Sequence, residues 1–259
     1  GARQLDYWRT ALAGMPDYLD LPQGTPTPDE PTVPVQFEID AATLTELRAL
    51  AHRLGATVFV VVHAALAAVL AEASGTADIA IGTPVSGRTD PALDELVGMF
   101  VGTVVLRTPV DPSLTFEQFV ALVLGRDLDA FAHSAVPFEW VVDAAAPTRT
   151  VDAHPLFQVL LAVGGTESPS FDLGAGAATP KRIETGENQF DLEVVVDDSI
   201  DGLTGRISYA ADRFERSVCV GLAERLTEVL HLAAQQPTAA LGSREFLGTG
   251  SRGVSREGV

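Results

Sequence analysis

Residues 81–107 read IGTPVSGRTDPALDELVGMFVGTVVLR. The stretch opens as an apolar strand and turns a corner rich in Gly, Pro and Ser. It passes a short amphipathic segment and closes as a second strand. Gly82, Pro84 and Gly87 bracket the corner, which bare backbone and fixed proline φ explain as a tight turn. Two strands joined by so ornate a connection set the reading of the rest.

Outward from this stretch, strands and helices interleave. Val33, Val35, Phe37 and Ile39 alternate as a strand, and Asp40 follows in an N-cap position. The helix beyond it carries Leu44, Leu47, Leu50 and Leu54 on one stripe. Residues 57–73 are apolar on nearly every face, which predicts a helix buried between layers. Ser113 or Thr115 starts another helix with Phe116, Phe119, Val120 and Val123 inward, and Pro137 begins a shorter one. Residues 156–163 (LFQVLLAV) form a continuous apolar run, as expected of a central strand. Residues 164–188 read as a long exposed loop. Phe190 to Val196 and Leu203 to Tyr209 alternate around Asp201-Gly202, a hairpin signal. Asp212 and Glu215 form a candidate capping box for a last helix carrying Phe214, Val218, Leu222, Leu226 and Leu230. The class is α/β, a mixed sheet flanked by helices. At the start, residues 3–14 form an amphipathic helix, and residues 16–34 hold six of the sixteen prolines, an extended connector. From Gly242 the chain turns Gly/Ser/Arg-rich. The expected division is therefore a lobe over residues 1–241 and a linker or unpacked tail over 242–259.

Composition excludes several classes. The chain has 259 residues, 46% of them apolar, and a net charge of −18. Such acidity repels nucleic-acid phosphates and anionic lipid. The longest apolar run, 58–71, is too short to span a bilayer. One cysteine, Cys219, permits no internal disulfide and fits a reducing cytoplasm. No signal peptide opens the chain, which starts at Gly1 inside a helical pattern, as an excised fragment would. The histidines, 52, 63, 133, 154 and 231, lack metal-ligand spacing, so no metal site is expected. Gly248, Gly250 and Gly253 match GxGxxG without the strand and helix that a dinucleotide site needs. Asp197, Ser199, Asp201 and Gly202 echo a calcium loop, but Ser208 stands where the closing Glu belongs. Ser86 lies in no nucleophile elbow.

Six segments in series resemble the C-terminal lobe of condensation domains from nonribosomal peptide synthetases. RQLDYWRTALAGMPDYLDLP (3–22) is similar to the family's entry to this lobe. IGTPVSGR (81–88) with LVGMFVGTVVLR (96–107) resembles its fifth core motif. AFAHSAVPFEWVV (130–142) resembles the sixth, and TVDAHPLFQVLLAV (150–163) the seventh. NQFDLEVVV (188–196) and GRISYAADRFE (205–215) match the closing strands and the start of the last helix. The chain departs from the pattern at Gly102, where Asn is frequent, and at Ser134-Ala135, which replace Gln-Asp. No HHxxxDG occurs, and in the family that motif carries the histidine assigned to chemistry.

The resemblance implies one lobe of a two-lobed, chloramphenicol acetyltransferase-like fold. Its reaction would join a carrier-bound aminoacyl or peptidyl donor to an aminoacyl acceptor by an amide bond. Gly82, Thr83, Pro84, Ser86, Gly87, Arg88, Phe100 and Val101 would form the substrate tunnel wall and floor, and the 164–188 loop a latch. Arg88 would reach the other lobe, the substrate or a carrier. His133, Pro137, Phe138, Glu139, Pro155, Phe157 and Gln158 are the remaining motif positions. No cofactor is bound directly; phosphopantetheine arms arrive on carrier domains. The implied partners are the N-terminal lobe, donor and acceptor carrier domains and an adjacent adenylation domain. This fragment alone would be inactive. Two other readings stay open: a non-catalytic relative that recruits a partner enzyme, and an epimerisation-domain lobe.

Overall fold

A computed structural model of the chain describes residues 2–26, 33–88, 90–145, 154–164, 171–172, 177–178 and 188–247. In chain order the elements are α1 (Ala2–Ala11), β1 (Val35–Asp40), α2 (Ala41–Arg53), α3 (Val58–Ser74) and β2 (Asp78–Val85). Then come β3 (Gly102–Pro109), α4 (Phe116–Ala132), α5 (Phe138–Ala145), β4 (Val159–Gly164) and two short strands, β5 (Phe171–Asp172) and β6 (Ala177–Ala178). The chain continues through β7 (Leu192–Ser199), β8 (Gly202–Tyr209), α6 (Arg216–Gln235) and α7 (Arg244–Leu247).

Six strands form one mixed sheet in the order β1-β8-β7-β4-β2-β3. β4 lies inside it and runs parallel to both neighbours, β2 and β7, while every other pair is antiparallel. Its side chains feed both faces. Val159 and Leu161 join a large core with α2, α3, α4 and α6; Leu160 joins a smaller core with Trp8, Leu12, Val141 and Phe157. Burial on both sides is why residues 159–163 are apolar without alternation.

α3 fills the large core as expected. Val61, Val62, Ala64, Ala65 and Ala67 have no solvent exposure, and Gly75 closes the helix at φ +70°. The alanines let the neighbouring helices α4 and α6 approach its backbone. His63 sits in this apolar layer because both ring nitrogens are partnered. Nδ1 lies 3.0 Å from Asp127 Oδ2, and Nε2 lies 3.4 Å from the Thr108 hydroxyl. It is a hydrogen-bonded core histidine.

Local capping follows the sequence in two of three cases. Asp40 accepts from the N–H groups of Ala42 and Thr43, and Thr115 makes a reciprocal capping box with Gln118. The Asp212/Glu215 box does not form. Glu215 stands at the N-cap of α6, but its carboxylate accepts from Thr25 N–H at 2.9 Å and from the Ser217 hydroxyl at 2.8 Å. It ties the proline-rich connector to the lobe instead of capping its own helix.

The expectation of an unpacked tail from Gly242 is corrected up to residue 247. Phe246 is buried and stacks on Phe116 with ring centroids 5.7 Å apart, and Leu241 donates its N–H to Leu114. The rest of the tail, with its GxGxxG, lies outside the described residues, as does most of the 164–188 loop. The Asp201-Gly202 hairpin is present, turning at residues 200–201. Beside it, Asp198 pairs with Arg48 at 2.5 Å.

Candidate functional site

The corner begins where β2 and β3 part, at the pair Val85 and Gly102. Gly87 has φ +63°, and a Cβ there would collide with the Phe100 carbonyl oxygen. Both facts require glycine. Residues 86–101 then project as an arm. Arg88 pins it from within. Its guanidinium donates to the carbonyls of Leu93 and Leu96, the latter at 2.9 Å, and lies 4.3 Å over the Phe100 ring. Two of its N–H groups thus serve the arm's own backbone, which was not expected from the sequence. Outside that pin the arm presents the exposed carboxylates of Asp90, Asp94 and Glu95 and, beyond them, bare apolar side chains. Val97 and Met99 are almost fully exposed, and Leu96 and Val101 are more than half exposed.

Gly82, Thr83 and Pro84 do not share a wall with Ser86, Gly87, Phe100 and Val101. Gly82 is covered by the ring of Phe157, which occupies the space a side chain would take. Thr83 is buried, and Pro84 is exposed on the other side of the strand.

The sixth-motif segment splits similarly. His133 ends α4 and faces α1: its ring stacks on Tyr7 at 3.9 Å, its Nδ1–H donates to the Asp129 carbonyl, and its own carbonyl accepts from Trp8 Nε1–H. Pro137 and Glu139 are exposed where α5 begins, and Phe138 points into an aromatic group.

That group gathers around residues 154–158. Leu156 adopts φ +71°, a strained value for a branched residue, and lies buried between Pro155 and Phe157. Gln158 is buried and bonded at both ends of its amide. Its Oε1 accepts from Leu19 N–H at 2.9 Å, and its Nε2 donates to the His154 carbonyl at 3.1 Å. Gln158 thus anchors the connector to the sheet, and the start of the LFQVLLAV run is a buckle that precedes the strand.

Sequence reasoning passed over His154. Its ring lies 4.4 Å from Phe157, 4.9 Å from Phe190 and 5.5 Å from Phe138. Nδ1–H donates to the Phe157 carbonyl at 3.1 Å. Burial pushes its pKa below the ordinary value, against the opposing pull of the Phe157 and Pro155 backbone carbonyls. The imidazole is therefore neutral at neutral pH. The signal available in the sequence was its place inside a motif, directly before PLFQV.

These segments enclose a cleft of about 710 Å³, lined by residues 85–87, 100–103, 134–139, 154 and 189–190. It lies at the arm end of the β2–β3 pair. Ser86, Thr103, Ser134, Glu139, His154 and Gln189 give it scattered polar groups, the rest of the wall being apolar or backbone. Among the described residues no hydroxyl or thiol there is paired with a base, the arrangement a nucleophile site would need. Cys219, in the core of α6, has its pKa pushed up to about 12 by burial and is remote from this chemistry. A second cleft of about 770 Å³ lies at the opposite ends of β2 and β3. Its Arg107 is committed to Asp78 and to the carbonyls of Ala11 and Ala13. Among the described residues, no cluster of metal-ligating side chains occurs. No single helix there is long and apolar enough to cross a membrane.

A mixed six-stranded sheet between helical layers, with a cleft at one end of the β2–β3 pair, defines an α/β protein of the chloramphenicol acetyltransferase-like class. The chain belongs to the condensation-domain family, whose description matches residues 1–252. It is similar to an isonitrile lipopeptide synthase of Mycobacterium tuberculosis, 38% identical over 95% of this chain and 10% of that protein. It is also similar to a dimodular nonribosomal peptide synthase of Bacillus subtilis, 32% identical over 95% of this chain and 11% of that protein. The chain thus spans about a tenth of these curated relatives. Among solved structures, the X-domain from teicoplanin biosynthesis superposes with a TM-score of 0.82 at 29% identity, covering 93% of this chain and 56% of that one. A four-domain nonribosomal peptide synthetase bound to AMP and glycine gives 0.83 at 22% identity, over 92% of this chain and 20% of that one, which concerns fold alone.

Proposed function

We propose that this chain is the C-terminal half of a condensation domain in a nonribosomal peptide synthetase, where an amide forms between carrier-bound donor and acceptor. The observation that carries this reading is the cleft. It draws together the segments resembling the fifth, sixth and seventh core motifs beside an arm whose apolar side chains are bare. An arm pinned from inside, with bare apolar side chains at its far end, suits an N-terminal lobe that would cover Val97 and Met99. The cleft would be one wall of the passage for phosphopantetheine arms. Two thioesters must meet with amine and carbonyl about 3 Å apart, and a shaped wall supplies that orientation. The 164–188 loop would be the latch across the lobes. Carrier domains and an adenylation domain would be its neighbours, in a reducing cytoplasm.

The sequence lacks HHxxxDG, so the chain alone should make no product. Donor and acceptor carriers loaded as thioesters are incubated with the chain alone and with the two-lobed domain, and amide product is read by mass spectrometry. Product from the two-lobed domain only is the expected result. Product from the chain alone above a buffer control, or none from the two-lobed domain, overturns the reading.

A second reading has its own support. The X-domain from teicoplanin biosynthesis has also been solved in complex with OxyB, and that structure superposes with a TM-score of 0.81 at 29% identity. A non-catalytic module that recruits a partner enzyme would give no product in either arm of the experiment.

A further inference from the structure

We propose that His154 is a positioning residue of the cleft, its imidazole accepting a hydrogen bond from an N–H of the substrate. The donor is either an amide of the pantetheine arm or the acceptor amine. The inference rests on the cleft being the arm's passage, and it adds a role for a side chain outside the six-segment resemblance's named positions.

Three observations carry it. First, the Phe157 carbonyl can only accept, so Nδ1 holds the ring proton, at 3.1 Å. In a neutral imidazole that leaves Nε2 as an acceptor. Second, no described side chain bonds Nε2, the Pro155 carbonyl being the ring's other backbone contact, and the ring lines the cleft. Third, the ring is clamped by Phe138, Phe157 and Phe190, so its orientation is fixed before a ligand arrives. The other titratable group lining the cleft, Glu139, is exposed on its rim and lacks such a clamp. A neutral acceptor also suits an amine that must attack: it orients an N–H without favouring the ammonium, as a carboxylate would. No bond is made or broken by this contact.

The test uses the two-lobed domain, with donor-loaded and acceptor-loaded carriers titrated separately. His154→Phe keeps a ring among the phenylalanines but removes the acceptor; His154→Gln restores an acceptor oxygen near the Nε2 position. Loss of one hydrogen bond should raise the KM for one carrier substrate about tenfold in His154→Phe, with kcat nearly unchanged. His154→Gln should recover most of that loss. The carrier affected tells an arm amide from an acceptor amine. Unchanged KM values for both carriers in His154→Phe overturn the proposal. Equal impairment of the two variants also overturns it, since packing alone would then explain the effect. Ala135→Trp, on the exposed turn lining the cleft, tests the underlying reading separately: it should abolish condensation, and full activity would remove the cleft itself from the pathway.

Discussion

The ring of Phe157 occupies the space where a side chain on Gly82 would stand. The two residues lie in different motifs, and each explains the other. β2 must be bare at that point so that the buckle before β4 can seat its aromatic ring, and the ring then walls the cleft's aromatic group. Gly82→Ala should therefore destabilise the lobe by about 1–3 kcal/mol, the usual cost of overpacking. Gly102→Ala, whose nearest contact would be Val85 Cγ2 at 3.4 Å, should be tolerated. Phe157→Leu should recover part of the Gly82→Ala loss. Denaturant melts of the three variants and the double variant check this; an unaffected midpoint in Gly82→Ala would show that the ring swings away freely.

That pairing also marks where the sequence was legible. The existence of all the long helices and of the six sheet strands could be read from apolar periodicity or, for α3 and β4, from continuous apolar runs. What escaped was set by contacts distant in sequence. The apolar run from residue 156 begins three residues before its strand, because Leu156 takes a positive φ and the Gln158 side chain is spent on Leu19. Glu215 left its helix cap for Thr25, 190 residues away. Arg88, read as reaching another lobe, a substrate or a carrier, also had carbonyls five and eight residues on within reach. The cleft was legible as motifs in series, but the division of those motifs was not. Ser86, Gly87, Phe100, Val101, Pro137, Phe138 and Glu139 line it, while Gly82, Gln158 and His133 hold neighbouring elements in place.

Arg88 staples the 86–101 arm, so its removal should act on the arm and not on the lobe. Arg88→Ala should leave the global melting transition nearly unchanged while amide exchange over residues 90–99 accelerates. Arg88→Lys should rescue little, because an ammonium cannot hold two carbonyls and a ring face at once. Hydrogen exchange read by mass spectrometry separates these outcomes. Protection that persists in Arg88→Ala would show that the backbone alone holds the arm.

Phe246 makes residues 242–247 part of the lobe. It is buried against Phe116, and Gly242 donates its N–H to the Pro112 carbonyl at 2.8 Å. Phe246→Ala should cost about 3 kcal/mol in a denaturant melt, the lower end for a buried phenylalanine. Truncation after residue 241 should cost a similar amount, whereas truncation after 247 is expected to cost much less. Equal stability of the two truncations would return the boundary to residue 241.

Cys219 provides a reporter of the large core. It has no solvent exposure, and burial pushes its thiol pKa up to about 12, only partly opposed by Arg216. In the unfolded chain it ionises near its ordinary value of 9.0. An acid whose folded pKa lies above its unfolded one binds its proton more tightly when folded. Its contribution is therefore intact below about pH 9 and declines as pH rises toward 12. The melting temperature of the wild type should fall more steeply over that window than that of Cys219→Ala, whatever the offset between them at pH 7. At pH 8, a disulfide reagent such as dithionitrobenzoate should label the native thiol only as fast as the core opens. Added denaturant should release one rapid equivalent. Rapid labelling without denaturant would place the thiol outside the closed core and contradict the packing of α6.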